Sequence, residues 1–399
     1  MKKIVHTGDW HLDYDPKKNA KARASLNQLY EFCGEQKIDV LMISGDLWEK
    51  RQREPYFNSV QDEGLGIRTA REYLLKLSDA VEWIVITKGN SSHDEKGSIA
   101  KLHNLAGREN ILAYEYPVVL AFQNGRYIDL LRTTDYSNVK PELIVPMIPY
   151  PTKELLIRDA SIDQTNLEFN ALFDGLMTAI GLINDKFNCP KAAGFHGNVQ
   201  GARLSNGQSL LGQDIIISPH SLNKMNCDYY GLAHIHLRQE IQNNMRYSGS
   251  LYNKDWGETE QKSFEFLEFD DNGKLNVTTI ALTTARPMIT VDAEFIEGKL
   301  VYENSIPDNA EVRFRFKVAE NETSLISEEM LNEVKQVLGE DVKIEKNIIP
   351  VQRESRSETI MQSITLTEEV EEYGKVIGEE VTASVKKKIA EIEVEGMEL

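Results

Sequence analysis

The sequence predicts an α/β layered fold, and three observations carry that reading. Over roughly the first 250 residues, apolar runs alternate with amphipathic stretches, the pattern of strands separated by helices. Five of the runs end in short polar clusters containing Asp, Asn or His, placed where the loops of an open α/β sheet converge. No apolar run approaches the ~18 residues needed to cross a bilayer, so no membrane is expected.

The elements follow in order. KKIVHTGDWH is a strand running into a polar loop. Residues 17 to 35 are helical, with Ala22, Leu26, Leu29 and Cys33 three or four apart and Gly34 near the stop. IDVLMISGD is a strand ending at Gly45-Asp46, residues 68 to 79 a helix, and VEWIVIT a strand ending at Gly89-Asn90. LIVPMIPYP reads as a buried strand, residues 166 to 185 as a helix, and KAAGFHG, CDYYGLAHIH and MRYSGSLY as further strands with their turns. A seam falls near Arg286-Pro287, which sets residues 1–285 apart from 286–350. In the second stretch VRFRFKV alternates as a strand, Ser327 caps a helix closed by Gly339, and DVKIEKNII is another strand. Polar residues 351–365 read as a linker. From Leu366 onward, Val370, Tyr373, Ile377, Val381, Val385, Ile389 and Ile392 fall at helical spacing, with Gly374 and Gly378 weakening the helix.

The chain has 399 residues, enough for two or three domains. Its net charge of -18 argues against wholesale attraction to nucleic acid or anionic lipid. Bound divalent ions would reverse the field within one cleft. Cys33, Cys189 and Cys227 have no paired spacing and read as reduced thiols of a cytoplasmic protein. The N-terminus has no apolar signal core and reads as a first strand.

The five strand-end clusters are Asp9-Trp10-His11, Gly45-Asp46, Gly89-Asn90 with His93, His196-Gly197, and His234-Ile235-His236. Alone, the first would be a strand-end turn with a surface histidine, the second an ordinary turn, and His196 a hydrogen-bonded core histidine. Together, each after an apolar strand, they favour a metal site. Asp, Asn and His suit Mn²⁺, Fe²⁺ or Zn²⁺. A pair of such ions needs a carboxylate between them and can clamp a phosphoryl group during in-line attack.

DWH, GDLW, GN…HD, HG and GLAHIH resemble the five boxes of the calcineurin-like metallophosphoesterases. HTGDWHLD, SGDLWEKR, DYYGLAHIH and YSGSLYNKDWGE carry a closer resemblance to the SbcD-type nucleases of DNA double-strand-break repair. The resemblance implies a two-sheet sandwich with flanking helices, a small α+β capping domain at 286–350 and a partner-binding helical segment at 366–399. It implies that Asp9, His11 and His236 hold one ion, that Asn90, His196 and His234 hold the other, and that Asp46 bridges them. Mn²⁺ would be the activating ion. His93 would contact the scissile phosphate and protonate the leaving oxygen, with Asp94 orienting its ring.

The third box departs from the family's contiguous GNHD, because Ser91 and Ser92 separate Asn90 from His93. Either a bulged loop returns His93 to the cleft, or the ring slips outward and Asn90 alone serves. Arg51 and Arg53 could contact the DNA backbone or sit in a solvated loop. Tyr247, Tyr252 and Trp256 could stack on bases, with packing under the last strand the stronger reading. The family further implies exonuclease and single-strand endonuclease action on DNA. Its partners are an SbcC-type coiled-coil ATPase and a second copy, a homodimer within a heterotetramer. Two other readings stand beside this one: a phosphoesterase acting on non-DNA substrates, and a DNA-end scaffold without activity.

Overall fold

A computed structural model describes residues 1–49, 64–152, 162–205, 215–303, 306–307, 310–350 and 365–396. In chain order come β1 (Lys2–Thr7), α1 (Pro16–Gln36), β2 (Ile38–Ile43), α2 (Leu65–Ala80), β3 (Val81–Thr87), β4 (Ile111–Tyr114), β5 (Val118–Gln123), β6 (Arg126–Asp129) and β7 (Leu143–Ile148). Next are α3 (Ile162–Asn184), β8 (Ala192–His196), β9 (Asn198–Val199), β10 (Ile216–Ile217), α4 (Pro219–Asn223), β11 (Tyr229–Ala233), β12 (Gln239–Gln242) and β13 (Met245–Tyr247). The rest are β14 (Ser263–Phe269), β15 (Leu275–Ala281), β16 (Met288–Ile296), β17 (Lys299–Tyr302), β18 (Glu311–Ala319), α5 (Glu328–Leu338), β19 (Lys343–Ile349), α6 (Leu366–Ile377) and α7 (Ala383–Gly396). Two compact units result: Met1–Val291 with Asn304–Arg313 and Leu338–Lys343, and Asp292–Glu303 with Phe314–Val337 and Ile344–Leu399.

The larger unit is an α/β sandwich of two sheets. The first has strand order β15-β14-β1-β2-β3-β4 and the second β12-β13-β11-β8-β7-β5-β6. β1 to β4 run parallel, which requires crossover connections, and both sheet faces are buried. That is why IDVLMI and VEWIVIT are nearly continuous apolar runs. Alternate side chains then serve different layers. Val5, Leu41, Ile43, Ile84 and Ile86 pack with Ala22, Leu26 and Leu29 of α1 and Leu74 and Leu77 of α2. The other parity, Ile4, Val40, Met42 and Val85, meets Leu120, Val145, Met147 and Tyr229 of the second sheet. That sheet's outer face packs Ile144, Ala193, Phe195 and Leu232 against Met177 and Ile180 of α3. Each fully buried aliphatic side chain contributes about 1.5–3 kcal/mol, so the three layers of contact hold the strand ends in fixed register.

α1 begins where Asp15 accepts from the Lys17 N–H at 2.8 Å with Pro16 in the first turn, and it ends at Lys37, which adopts φ 55°. In the smaller unit Phe314, Phe316, Val318 and Val334 are buried. The Ser327 hydroxyl accepts from the Met330 N–H at the start of α5. The helical spacing from Leu366 to Ile392 is broken into α6 and α7. Thr365 and Glu368 form a capping box at the start of α6, and Gly378 at φ 73° terminates it. Gly374 lets the returning chain close in, since a Cβ there would lie 2.7 Å from the Glu379 carbonyl oxygen. No helix among the described residues is long and apolar enough to cross a membrane. Residues 351–364 of the stretch read as a linker (351–365) lie outside the described residues, as do Arg51 and Arg53.

Candidate metal centre

Five strand ends supply the site. β1 leads to Asp9 and His11, β2 to Asp46, β3 to Asn90 and His93, β8 ends at His196, and β11 leads to His234 and His236. The backbone there is bent sharply. Asp9, His11, Asp46 and His234 have φ of 49°, 44°, 52° and 106°, a region that non-glycine residues enter rarely and in which strained residues cluster at active sites. Two glycines make the approach of the strands possible. A Cβ on Gly89 would lie 2.0 Å from Asp46 Oδ1, and one on Gly45 would lie 2.6 Å from His196 Nδ1.

Asp9, His11 and His236 form one group whose ligand atoms lie within 4.8 Å of one another. The Asp9 carboxylate accepts the His234 N–H at 2.9 and 3.0 Å. His11 Nδ1 lies 2.9 Å from Glu49 Oε1, closer than the 3.4 Å to Lys254 Nζ, and His236 Nδ1 lies 2.9 Å from Glu258 Oε1. A carboxylate at Nδ1 accepts the hydrogen bond of that ring N–H, which keeps the proton on Nδ1 and leaves the lone pair on Nε2. The two Nε2 atoms face one another at 2.9 Å. Tyr252 donates to the His11 carbonyl at 2.8 Å, fixing the backbone behind the ring.

Asp46, His196 and His234 form a second group within the same 4.8 Å span, and Asp46 also lies 4.0 Å from His11 Nε2. Asp46 is thus common to both sides. Its Oδ1 accepts the Asn90 N–H at 2.9 Å, and its Oδ2 lies 3.2 Å from Asn90 Nδ2 and 3.3 Å from His196 Nε2. His196 Nδ1 donates to the Ser44 carbonyl at 2.6 Å, leaving Nε2 facing the cleft.

Charge follows burial. Burial pushes the Asp9 carboxyl up and pushes His11 and His234 down to about 3, keeping both imidazoles neutral. Burial opposes the charge on His196 too, but Asp46 outweighs it and raises that ring to about 9; reciprocally, His196 holds Asp46 below the usual carboxylate range. Burial works against Glu258, yet its bond to His236 and the Lys262 ammonium at 2.7 Å bring it down to about 2.

His93 lies at the cleft. Its ring centroid is 4.6 Å from that of His11 and its Nδ1 is 3.3 Å from Glu49 Oε2. Burial would lower its pKa, but Glu49 prevails and raises it. The carboxylate beside His93 is therefore Glu49, not Asp94. The buried Asp94 accepts the N–H groups of Asp46 at 2.9 Å, Leu47 at 3.1 Å and Gly89 at 2.7 Å, tying two strand ends together. Burial and nearby Asp46 push it up to about 7. Tyr247 and Tyr252 are buried, which removes them as stacking platforms. Glu49, Glu258, Lys254 and Lys262 are absent from the sequence reading. Glu49 follows the GDLW box directly, and Glu258 closes YSGSLYNKDWGE, so proximity to a box was the available signal.

The residues fit divalent cations. His196 Nε2 is buried without a well-aligned hydrogen-bond partner, and two imidazole lone pairs converge at 2.9 Å. Hard oxygens and imidazole nitrogens are the donors that Mn²⁺, Fe²⁺ and Zn²⁺ prefer.

This is a mixed α/β protein with a clustered His/Asp site. No family model matches the chain. The chain is distantly SbcD-like: it is 26% identical over 341 residues to the SbcD subunit of the nuclease SbcCD from Staphylococcus epidermidis, across 79% of this chain and 78% of that protein. Among solved structures it is similar to GAP50, the anchor in the inner membrane complex of Plasmodium, over 72% of this chain and 86% of that one. At 12% identity and a TM-score of 0.37, that likeness is too remote to inform fold or function.

Proposed function

We propose that this chain is a two-metal DNA nuclease that hydrolyses phosphodiester bonds in the processing of DNA ends. The observation that carries the proposal is the convergence on Asp46, whose carboxylate borders both groups of candidate ligands. Asp9, His11 and His236 would hold one divalent ion, and Asn90, His196 and His234 the other, with Asp46 shared. Bound there, such ions supply positive charge to phosphoryl oxygens and acidify a water for in-line attack, and Mn²⁺ suits the donors.

The chain's own groups do the rest. His93, held by Glu49 with a raised pKa, keeps a proton available for the departing sugar oxygen. Asp94 fixes the loops that carry Asp46 and Asn90 through three backbone N–H groups. Lys254 and Lys262 offset the carboxylates that brace the histidines. An acidic chain of net charge -18 grips a polyanion only where local charge is reversed, which a cation-loaded cleft provides.

The relationship to an SbcD nuclease component supports DNA as substrate and an SbcC-type coiled-coil ATPase as partner. Exonuclease and single-strand endonuclease action, and a homodimer within a heterotetramer, belong to the same reading. So does the division into a nuclease domain (1–285), a capping domain (286–350), a linker (351–365) and a partner-binding segment (366–399).

The test is turnover of linear DNA with added Mn²⁺ by wild type and Asp46→Ala. Loss on the order of 10³-fold or more is expected, because both ions lose a ligand. Undiminished cleavage overturns the shared-carboxylate role, and turnover of small aryl phosphates with none of DNA overturns the substrate.

A further inference from the structure

Of the two serines that interrupt the third box, Ser92 bonds back to Asn90. The Ser92 N–H donates to Asn90 Oδ1 at 3.0 Å, and the Ser92 hydroxyl donates to the same oxygen. A backbone N–H can only donate, so chemistry fixes which end of the Asn90 amide faces it. The amide NH₂ is consequently turned toward the cleft, donating to Asp46 Oδ2 at 3.2 Å and lying 3.4 Å from His234 Nδ1. An amide nitrogen has no lone pair to offer a cation, whereas the oxygen facing Ser92 is the hard donor.

The rest of the loop is tied down independently. The Asn90 backbone carbonyl accepts the N–H groups of His93 and Asp94 at 3.1 and 2.9 Å. Lys88 Nζ donates to Ser91 Oγ at 3.0 Å. Rotation of the Asn90 side chain therefore breaks its two bonds to Ser92 and leaves the turn in place. On the other side of the centre, His11 and His236 already present Nε2 with their Nδ1 atoms engaged.

We propose that Ser92 acts as a latch that holds the Asn90 oxygen out of the second cation position and makes the two positions fill in sequence. This rests on the two-ion reading above. The position of Asp9, His11, Asp46 and His236 fills first. The position of Asp46, His196 and His234 fills second and more weakly, because ligation by Asn90 costs both serine bonds. At limiting metal the chain holds one ion, and Ser92 sets the concentration at which the second enters.

The test is Mn²⁺ titration of the full chain, with free ion counted by electron paramagnetic resonance, for wild type, Ser92→Ala and a variant lacking Ser91 and Ser92. Wild type should bind two ions whose Kd values differ by about 5- to 100-fold, the worth of two hydrogen bonds. Ser92→Ala should tighten the weaker Kd by about three- to tenfold and leave the tighter one unchanged. The deletion should bring the two Kd values together. Equal wild-type affinities, or variants that reproduce the wild-type pair of constants, overturn the latch. If the deletion variant does not fold, Ser92→Ala alone decides. Failure of the two-ion reading looks different: wild type and Asp46→Ala would then bind the same number of ions.

Discussion

His11 and His236 are each held through Nδ1 by a carboxylate, Glu49 or Glu258, whereas His196 is held by the Ser44 carbonyl and Asn90 by the Ser92 N–H. The carboxylates are in turn offset by lysines: Lys254 pairs with Glu49, and the buried Lys262 pairs with Glu258 at 2.7 Å and Glu260 at 2.6 Å. A carboxylate behind an imidazole fixes its tautomer and raises its basicity as a ligand more than a neutral carbonyl does. One half of the centre is thus set by charge and the other by backbone geometry. The comparison teaches that substitutions in the two halves should fail in different ways.

The largest expected effect falls at His93, beside the charge-set half. His93→Ala should lower kcat on DNA by about 10² to 10⁴, the usual worth of a general acid, while both Mn²⁺ constants stay within about threefold. Glu49→Gln should lower kcat and also weaken the first ion, because Glu49 touches both His93 and His11. Equal metal affinity in wild type and Glu49→Gln would confine that carboxylate to the proton step and blur the contrast between the halves.

A smaller effect separates metal binding from chemistry. Glu258→Gln removes the charge behind His236 while keeping a hydrogen-bond acceptor. It should weaken the tighter Mn²⁺ constant by about 10- to 100-fold and spare the weaker one. Calorimetric titration reads both constants. A matching loss at both would show that Glu258 supports the whole loop through Lys262 and the Lys254 N–H, and the division by charge would fall.

Much of this arrangement was legible because it lies in boxes after apolar strands. The parallel strands β1, β2 and β3 are buried on both faces and announce themselves as runs such as VLMI. α1, read from residues 17 to 35, runs from Pro16 to Gln36. The edge hairpin of β14 and β15 went unread, since LNVTTIA is half exposed and weakly patterned, although the turn at Gly273 with φ 79° was a usable signal. The C-terminal stripe keeps helical spacing from Leu366 to Ile392, and Gly378, one of the two glycines that weaken it in the sequence, is where the left-handed turn ends α6. In the site, carboxylate partners were the least legible part. A histidine and its carboxylate meet in space, so Glu258, 22 residues beyond His236, carried no spacing signal, and adjacent Asp94 drew the role that Glu49 occupies.

The backbone-set half leans on a polar contact between the sheets, and that contact gives the last prediction. Ser44, whose carbonyl holds His196, places its hydroxyl 3.2 Å from His6 Nε2, and Tyr229 of the second sheet lies 3.1 Å from His6 Nδ1. His6 has the same strand parity as Ile4 and so faces inward, fully buried. Burial pushes its pKa down to about 3 from an ordinary 6.5. Below pH 6.5 the unfolded chain takes up a proton at this residue and the folded chain does not. Stability is therefore lost as pH falls from 6.5 toward 3 and is unaffected above 6.5. At pH 5 the cost is about 2 kcal/mol. His11 and His234 act in the same direction, so the quantity to measure is the difference between wild type and His6→Gln in urea unfolding at pH 7 and pH 5. The variant should lose less stability than wild type over that interval. Equal losses would mean that His6 is protonated inside the fold, and the seam behind Ser44 would then be held by charge as well.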